Sequence, residues 1–533
     1  MRKELLVDLI KNKIYILVLT ILAIAVLSQC TDVVVNRNPK ELREMSLIAY
    51  AVDFSEGVNP YSLKILEQKL PTNVGCYGFM VPFVVSPLVK VVGRANALLL
   101  FEFITILLAC LGIIFTWLIL RENGVSKNLS SCGTVLMYIA QLLSGGLVSA
   151  AFAGQWGMTF LLMLTYLVIH DSPKQKFRPI LYVIIIIFIF YDKQYFVFIS
   201  LPILIYLVIK DRRSSITFAI TGMIVGVISL AVVQLIFPLY FSLAIARAQL
   251  DSVMGTFDYS VVQLIVLLRQ KWFILCSVFT MLAIFNAIKK AKISKNVDEI
   301  SFELWALITL FIPVMYLSLN KGQDKEYLTQ LIIPYVVLIG VETISKYFAT
   351  TKDDERVRVK ILGTSIRIAL FFTMIFSLKD EIIVPFSAFN SEKKDSWARA
   401  YELLDYYAPT GKIIVPPQLS QYCLVNGIYT DDYGQAEYMS LTALEKYEKN
   451  NIYKVLFPNL DELLQINIEY NEEVQKNIEE QNYDMVVLNV QNAGNYVIDN
   501  PVIGENYKLV DTIDLYTGME KWTSCFYAKM KQN

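Results

Sequence analysis

The chain has 533 residues, 55% of them hydrophobic and 18% charged, with a mean hydropathy of +0.48. Soluble domains carry ~25% charged residues, so a wholly soluble protein is excluded, as is a mainly disordered one, and long apolar runs indicate many membrane spans. Lys+Arg and Asp+Glu balance at 48 each, which leaves no basic field for nucleic acid.

The N-terminus carries Arg2, Lys3, Lys11 and Lys13 ahead of an apolar run. No small-residue cleavage site follows, so it reads as a signal anchor starting in the cytoplasm. About eleven spans are predicted, at 14–32, 97–120, 129–147, 151–169, 179–191, 194–209, 215–237, 271–288, 302–319, 327–345 and 361–378. The loops that then fall inside are Arg121–Lys127, Lys174–Arg178, Lys210–Arg213, Lys289–Lys295 and Lys346–Lys360, all basic, as the positive-inside rule requires. Residues 78–93 are apolar but short and hold Pro82 and Pro87. Counting them as a span would place the last two basic loops outside, so they read as interfacial or re-entrant. The fifth and sixth spans are short and meet at Asp192 and Lys193, which suggests a polar cavity near the outer leaflet.

The outer face then receives residues 33–96, 238–270, 320–326 and everything after about 380. The fold class is a polytopic α-helical membrane protein, with residues 1–380 as the transmembrane domain and 381–533 as an extracytoplasmic α/β domain. In the latter, helices are predicted near 395–407, 440–449 and 464–481, and strands at 411–415, 484–489, 507–515 and 524–530, an α/β alternation.

Catalysis has few residue types to draw on. The chain has one histidine, His170, so a triad or multi-His zinc site would have to be built around it; its place at the end of an apolar run suits an interfacial role. The seven cysteines include no CxxC pair; Cys30 with Cys76, or Cys423 with Cys525, could pair in an oxidising space. No phosphate loop, nucleotide fingerprint or EF-hand occurs, so a nucleotide-sugar donor is unsupported.

The first external loop, residues 38–62, opens on Asn38-Pro39 and keeps helical spacing to Phe54. Glu41 and Glu44 share a helix face, and Asp53 lies roughly two and a half turns beyond Glu44. These acids either solvate an interfacial helix or act beside a membrane cavity, where a carboxylate is paired or functional. Gly57 ends the helix and Asn59-Pro60-Tyr61 makes a turn. A span, an acidic helix, Gly57-Val58-Asn59-Pro60-Tyr61 and the Tyr77-Gly78…Pro82…Pro87…Gly93 segment together resemble the GT-C glycosyltransferases, specifically the bacterial branch near the protein mannosyltransferase and aminoarabinose transferase types. The resemblance covers most of the chain in plan and is concentrated in residues 38–95. It implies an inverting enzyme of the bacterial plasma membrane. A polyprenyl-phosphate sugar would be the donor, and a cell-envelope glycan, lipid or protein the acceptor. It places the catalytic acid at Glu44 or Glu41, with Asp53 next and Asn59 and Tyr61 in the substrate loop. The family's adjacent acid pair is absent, since Leu42 and Arg43 separate Glu41 from Glu44.

A second resembling stretch runs Asn320-Lys321-Gly322-Gln323-Asp324-Lys325-Glu326-Tyr327-Leu328-Thr329-Gln330. The donor phosphate needs cations, and Lys321, Lys325, Lys193 and Arg247 are the candidates, against a solvated turn or an Asp192–Lys193 pair. A third, from Gly427 through Asp431-Asp432 to Gly434-Gln435-Ala436-Glu437-Tyr438, is a structural turn or a glycan-binding aromatic surface. No metal site is recognised; with carboxylates as the only ligand type, Mg2+ or Mn2+ would suit better than zinc. The alternative function is a transporter or flippase of a lipid-linked sugar, which would share the polar cavity; no repeated halves speak for it.

Overall fold

The structure, a computed structural model, describes residues 2–35, 37–39, 44–68, 78–144, 153–170, 177–251, 256–268, 271–294, 300–319, 327–349, 365–366, 368–377, 391–428, 443–490, 502–517 and 520–530. Its first part is helical: α1 (Arg2–Val35), α2 (Glu44–Ser55), α3 (Met80–Val92), α4 (Ala97–Glu122), α5 (Lys127–Ser144), α6 (Ala153–Ile169) and α7 (Arg178–Phe190). A 3-10 turn over Gln194–Ile199 leads into α8 (Ser200–Lys210), followed by α9 (Arg212–Ile236), α10 (Lys271–Ser294), α11 (Phe302–Leu317) and α12 (Ile333–Ala349).

Helix lies over the described part of each predicted span, but among the described residues five stretches have the length and hydropathy that a crossing needs: Tyr15–Val35, Arg94–Glu122, Arg212–Ile236, Lys271–Lys290 and Leu328–Tyr347. The remaining segments, such as Arg178–Phe190 and Phe302–Leu317, are apolar but shorter. A crossing takes ~20 residues, so among the described residues length and composition support five spans, and the expected count of about eleven is not shown. Of the five, Leu328–Tyr347 is 89% buried inside the protein and Arg212–Ile236 only 11%. The first is a central pillar; the second presents Met223, Val227 and Leu235 outward, as a lipid-facing helix would. Small residues let the pillar close in: a Cβ on Gly340 would stand 2.8 Å from the Cys276 carbonyl of α10.

The helix ends follow local chemistry. Asp211 caps α9 by accepting from the Arg213 amide at 3.0 Å. Pro179 sits in the first turn of α7, where no N–H is missed. Gly57 and Gly93, with φ of +80° and +79°, turn the chain after α2 and α3.

The C-terminal part holds α13 (Ser391–Tyr407), β1 (Ile413–Ile414), α14 (Ser420–Asn426), α15 (Leu460–Glu479), β2 (Met485–Asn489), β3 (Tyr507–Thr517) and β4 (Glu520–Lys529). The sheet order is β1-β2-β4-β3, with β1 parallel to β2 and the other pairs antiparallel. Side chains alternate between faces. Met485, Val487, Phe526 and Ala528 pack with Trp397 of α13 and Cys423 of α14, whereas Val486 and Tyr527 pack with Val474 and Ile478 of α15. The same alternation separates the two cysteines of one possible pairing. Cys423 and Cys525 are both free, because Cys423 lies on the Phe526 face and Cys525, one residue earlier, points to the other. Cys30 is free as well, and Cys76 lies outside the described residues.

This part is docked on the helices rather than tethered. Leu424 of α14 joins the cluster formed by α2, α3 and α4, and Leu463 of α15 joins the aromatic cluster around Tyr61. Lys446 donates to the Leu250 carbonyl at 2.5 Å, and Tyr401 to Asn38 Oδ1 at 3.4 Å.

Candidate functional site

Between Met45 and Val52 helix α2 is mostly apolar, and Met45, Leu47, Ile48, Ala49, Ala51 and Val52 are all buried. They pack between α3 and α4. The described part of residues 38–62 is thus largely an interior strut and not a solvated interfacial helix. Glu41 lies outside the described residues; Glu44 is the first residue of α2, and its side chain lies outside them too. Asp53 lies nine residues beyond Glu44, about 13 Å along the helix axis.

Asp53 occupies the last turn of α2. Burial pushes its carboxyl up to about 7; the nearby Glu56 charge adds to the rise, and Arg94 pulls it back. Arg94 is placed by the Gly93 turn between α3 and α4. Its guanidinium pairs with Glu56, and Nη1 donates to the Leu424 carbonyl of α14 at 3.4 Å. One cation therefore joins the end of the acidic loop to the C-terminal part. Sequence reasoning ranked Asp53 behind the two glutamates and missed Arg94. The only available signals were the helical spacing of Asp53 and Glu56 and the Gly93-Arg94 break before a span.

The turn after α2 is held from both sides. Asn59 Nδ2 donates to the Ile236 carbonyl at the end of α9 (2.8 Å), and Asn59 Oδ1 accepts from the Tyr61 amide (3.0 Å). The Leu239 amide donates to the Tyr61 carbonyl at 3.0 Å. The Tyr61 ring is fully buried among Tyr50, Phe79, Phe237 and Tyr240, with centroids 5.4 to 6.5 Å away. Asn59 and Tyr61 thus fix the loop to α9.

The second group of candidates centres on the join between α7 and the 3-10 turn. The Gly78 amide donates to the Asp192 carbonyl at 2.8 Å, and the Met80 amide to the Tyr191 carbonyl at 3.2 Å. A Cβ at Gly78 would stand 1.6 Å from the Tyr191 oxygen, so glycine is required for this backbone contact. Asp192 and Lys193 are 0% and 2% exposed. They are sealed inside the protein, which corrects the expected open polar cavity at this join. Lys193 Nζ lies 5.4 Å from the Tyr195 ring centroid. The Tyr195 hydroxyl bonds Gln330, and its ring meets Tyr327 edge-on at 4.8 Å. Gly154 and Gly157 of α6 leave the space that Gln330 and Phe196 fill.

Lys193 and the Tyr327…Gln330 stretch, singled out separately in the sequence, are thus brought into one polar chain by Tyr195. Lys321 and Lys325 lie outside the described residues, as does Asp431 through Tyr438. Arg247 is buried as the last residue of a π-helix, Phe241–Arg247, which Gln194 joins through a 3.3 Å bond to the Ala244 carbonyl. His170 stacks on Tyr166 with centroids 5.2 Å apart and faces Glu122 at 3.4 Å, a peripheral placement. Among the described residues no cluster of three or more His, Cys, Asp or Glu side chains could hold a metal ion.

No family model matches the chain, and no curated protein does. Among solved structures it is similar to ArnT from Cupriavidus metallidurans bound to undecaprenyl phosphate. The likeness covers 97% of this chain and 98% of the other, with a TM-score of 0.47 and 10% sequence identity.

Proposed function

We propose that the chain is an integral-membrane, inverting glycosyltransferase. It moves a monosaccharide from a polyprenyl-phosphate carrier to an acceptor on the outer face of a bacterial plasma membrane. The observation that carries this reading is the placement of Asp53, partly exposed at the end of α2 beside the Arg94–Glu56 pair that meets the C-terminal part, in the loop where the family resemblance locates the catalytic acid; burial there raises its carboxyl to about 7. A base with a pKa near working pH combines a sizeable ionised fraction with real proton affinity, and such help is worth ~10²–10⁴ in rate.

In the reaction Asp53 takes the proton of an acceptor hydroxyl. The freed oxygen attacks the anomeric carbon from the side opposite the phosphate. The bond between that carbon and the phosphate oxygen breaks, and polyprenyl phosphate leaves with the electron pair; the proton on Asp53 then passes to water. The charge on the leaving phosphate is balanced by cations, a role proposed for Lys321 and Lys325; Lys193 and Arg247, both buried, would take part only if the site opens to the donor. Glu44 and Glu41 remain the rival bases, with Asn59 and Tyr61 holding the loop. The basic loops between spans support a cytoplasmic N-terminus and an extracytoplasmic C-terminal part. Flippase activity is the second reading, favoured by the broken helix pair α7 and α8 around Asp192-Lys193, since interrupted helices mark transporter sites.

The test is transfer from radiolabelled polyprenyl-phosphate hexoses to an envelope extract by the protein in nanodiscs, with Asp53→Asn, Glu44→Gln and Glu41→Gln alongside. Loss in Asp53→Asn alone supports the assignment. Loss only in a glutamate variant moves the base there. Movement of labelled lipid across a proteoliposome without any transfer would replace the enzyme by the flippase.

A further inference from the structure

The C-terminal part contains a cleft of about 1080 Å³ where β1 and β2 begin, between the C-terminal ends of α13, α14 and α15. Its wall includes Tyr422, Tyr470 and Tyr483, and the amides of Asn426, Asn477 and Asn482. The charged side chains lining it are Asp405 and Lys412, one of each sign. We infer that this cleft binds a neutral oligosaccharide.

The chemistry of the wall selects the ligand class. A phosphate or nucleotide needs convergent cations, and one lysine beside one aspartate does not supply them. A lipid tail needs an apolar lining, which amides and carboxylates would spoil. A sugar offers hydroxyls that both donate and accept, and side-chain amides do the same. Its C–H faces suit tyrosine rings, which are apolar in body and polar at the tip. The volume exceeds the ~300–1,000 Å³ of an ordinary small-molecule pocket, room for more than one sugar ring.

The wall is also held in place. Tyr422 donates to Asp405 Oδ1 at 2.5 Å, which fixes a carboxylate in the cleft wall. Asn482 Nδ2 donates to Asn477 Oδ1 at 2.9 Å and to Glu480 Oε2 at 3.1 Å, so Asn482 Oδ1 and Asn477 Nδ2 stay available as one acceptor and one donor. Gln481, in the left-handed region with φ +55°, makes the turn that sets Asn482 beside Asn477; a non-glycine residue there is uncommon. The floor is closed by the Asp484 amide donating to the Lys412 carbonyl at 2.8 Å.

The cleft adjoins the candidate active site. Gly427 lines it, and a Cβ there would stand 2.8 Å from Arg94 Nη1. Arg94 in turn pairs with Glu56, three residues after Asp53. A bound glycan would therefore lie on the C-terminal side of Arg94 with the base on the other. Calling this glycan the acceptor rests on the transferase reading; its binding does not.

The experiment uses the full chain in nanodiscs on an array of neutral, acidic and phosphorylated oligosaccharides, followed by calorimetric titration of the best neutral oligosaccharide on the array. The exposed variants Asn482→Ala and Asp405→Ala are measured beside it, with melting temperatures to confirm folding. We expect neutral oligosaccharide binding that weakens at least tenfold in each variant. No binding on the array, binding of phosphorylated sugars only, or affinity unchanged in both variants would overturn the proposal. Consumption of polyprenyl-phosphate hexose is followed in parallel. Consumption without glycan binding removes the cleft and leaves the transferase, and binding without consumption does the reverse.

Discussion

Asp53 closes the last turn of α2, and Asp192 follows the last turn of α7. Each ends a short apolar helix, and each has a cation at hand, Arg94 for the first and Lys193 for the second. The difference lies in what surrounds them. Asp192 is fully buried, and the backbone beside it is occupied by Gly78 and Met80. Asp53 keeps some exposure, and its cation is shared with Glu56 and with a carbonyl of the C-terminal part. An acid sealed from solvent has no access to an acceptor hydroxyl. A partly exposed acid at the edge of a docked domain can reach one. Access, more than residue type, separates the two.

The largest expected effect breaks the comparison at Asp53. Asp53→Asn should lower transfer by about 10²–10⁴-fold while leaving the protein folded. In the wild type the rate should climb through pH about 7 and level off above it, because only the ionised carboxylate accepts a proton. The stability effect has the opposite sense. With the native carboxyl raised from 3.8 to about 7, the folded state binds more protons than the unfolded state between those values. Stability therefore falls as pH rises across that window and stays lower above it. Asparagine has no charge to desolvate, so Asp53→Asn should melt higher than wild type near pH 8 and no differently near pH 4. A variant that melts lower at pH 8, or that still transfers sugar at the wild-type rate, would remove Asp53 from its role.

At Asp192 the expectation is structural. Lys193→Met and the double variant Asp192→Leu with Lys193→Met test whether the two residues pair: a cost of about 3–5 kcal/mol in the single variant that the double variant largely recovers would mark a buried ion pair. Melting of the two variants in the same detergent decides the matter. If the double variant folds like wild type and also keeps transfer, Lys193 is no donor ligand. If it folds and loses transfer, the lysine has a second duty beyond pairing.

Two glycines carry the comparison into the backbone. Gly78→Ala drives a Cβ to within 1.6 Å of the Tyr191 carbonyl, and overpacking of that kind costs about 1–3 kcal/mol or more. Gly57→Ala meets nothing within 4 Å and pays only for its φ of +80°, about 1 kcal/mol. Equal loss in the two melting curves would mean that the Gly78–Tyr191 contact contributes nothing of its own.

Much of this was legible in residues. Long apolar runs located the helices, and the shortness of residues 78–93 together with Pro82 and Pro87 marked α3 as a segment apart. Alternating helix and strand patterns located the four strands of the C-terminal sheet. What was not legible was set by long-range packing. The Met45–Val52 run reads as one helix in any context, and only the arrival of α3, α4 and α14 makes it interior. Asp192-Lys193 reads as polar, so a cavity was expected, yet the Gly78 backbone closes over it. Arg94 looks like an ordinary flanking charge before a span, and its link to Glu56 and Leu424 joins positions 38 and 330 residues away.

The smallest effect is the sharpest on mechanism. Arg94 and Glu56 are 34% and 44% exposed, so breaking their pair should change stability by no more than about 1 kcal/mol. Their influence on Asp53 has opposite sign, since the Glu56 charge raises its pKa and the Arg94 charge lowers it. Glu56→Gln should therefore move the midpoint of the pH–rate profile below that of the wild type, and Arg94→Gln should move it above. A purely structural role for the ion pair predicts the same displacement in both variants, or none, because each breaks the same contact. Opposite displacements would require a titrating group that feels both charges and limits the rate, and Asp53 is the carboxyl placed to do so.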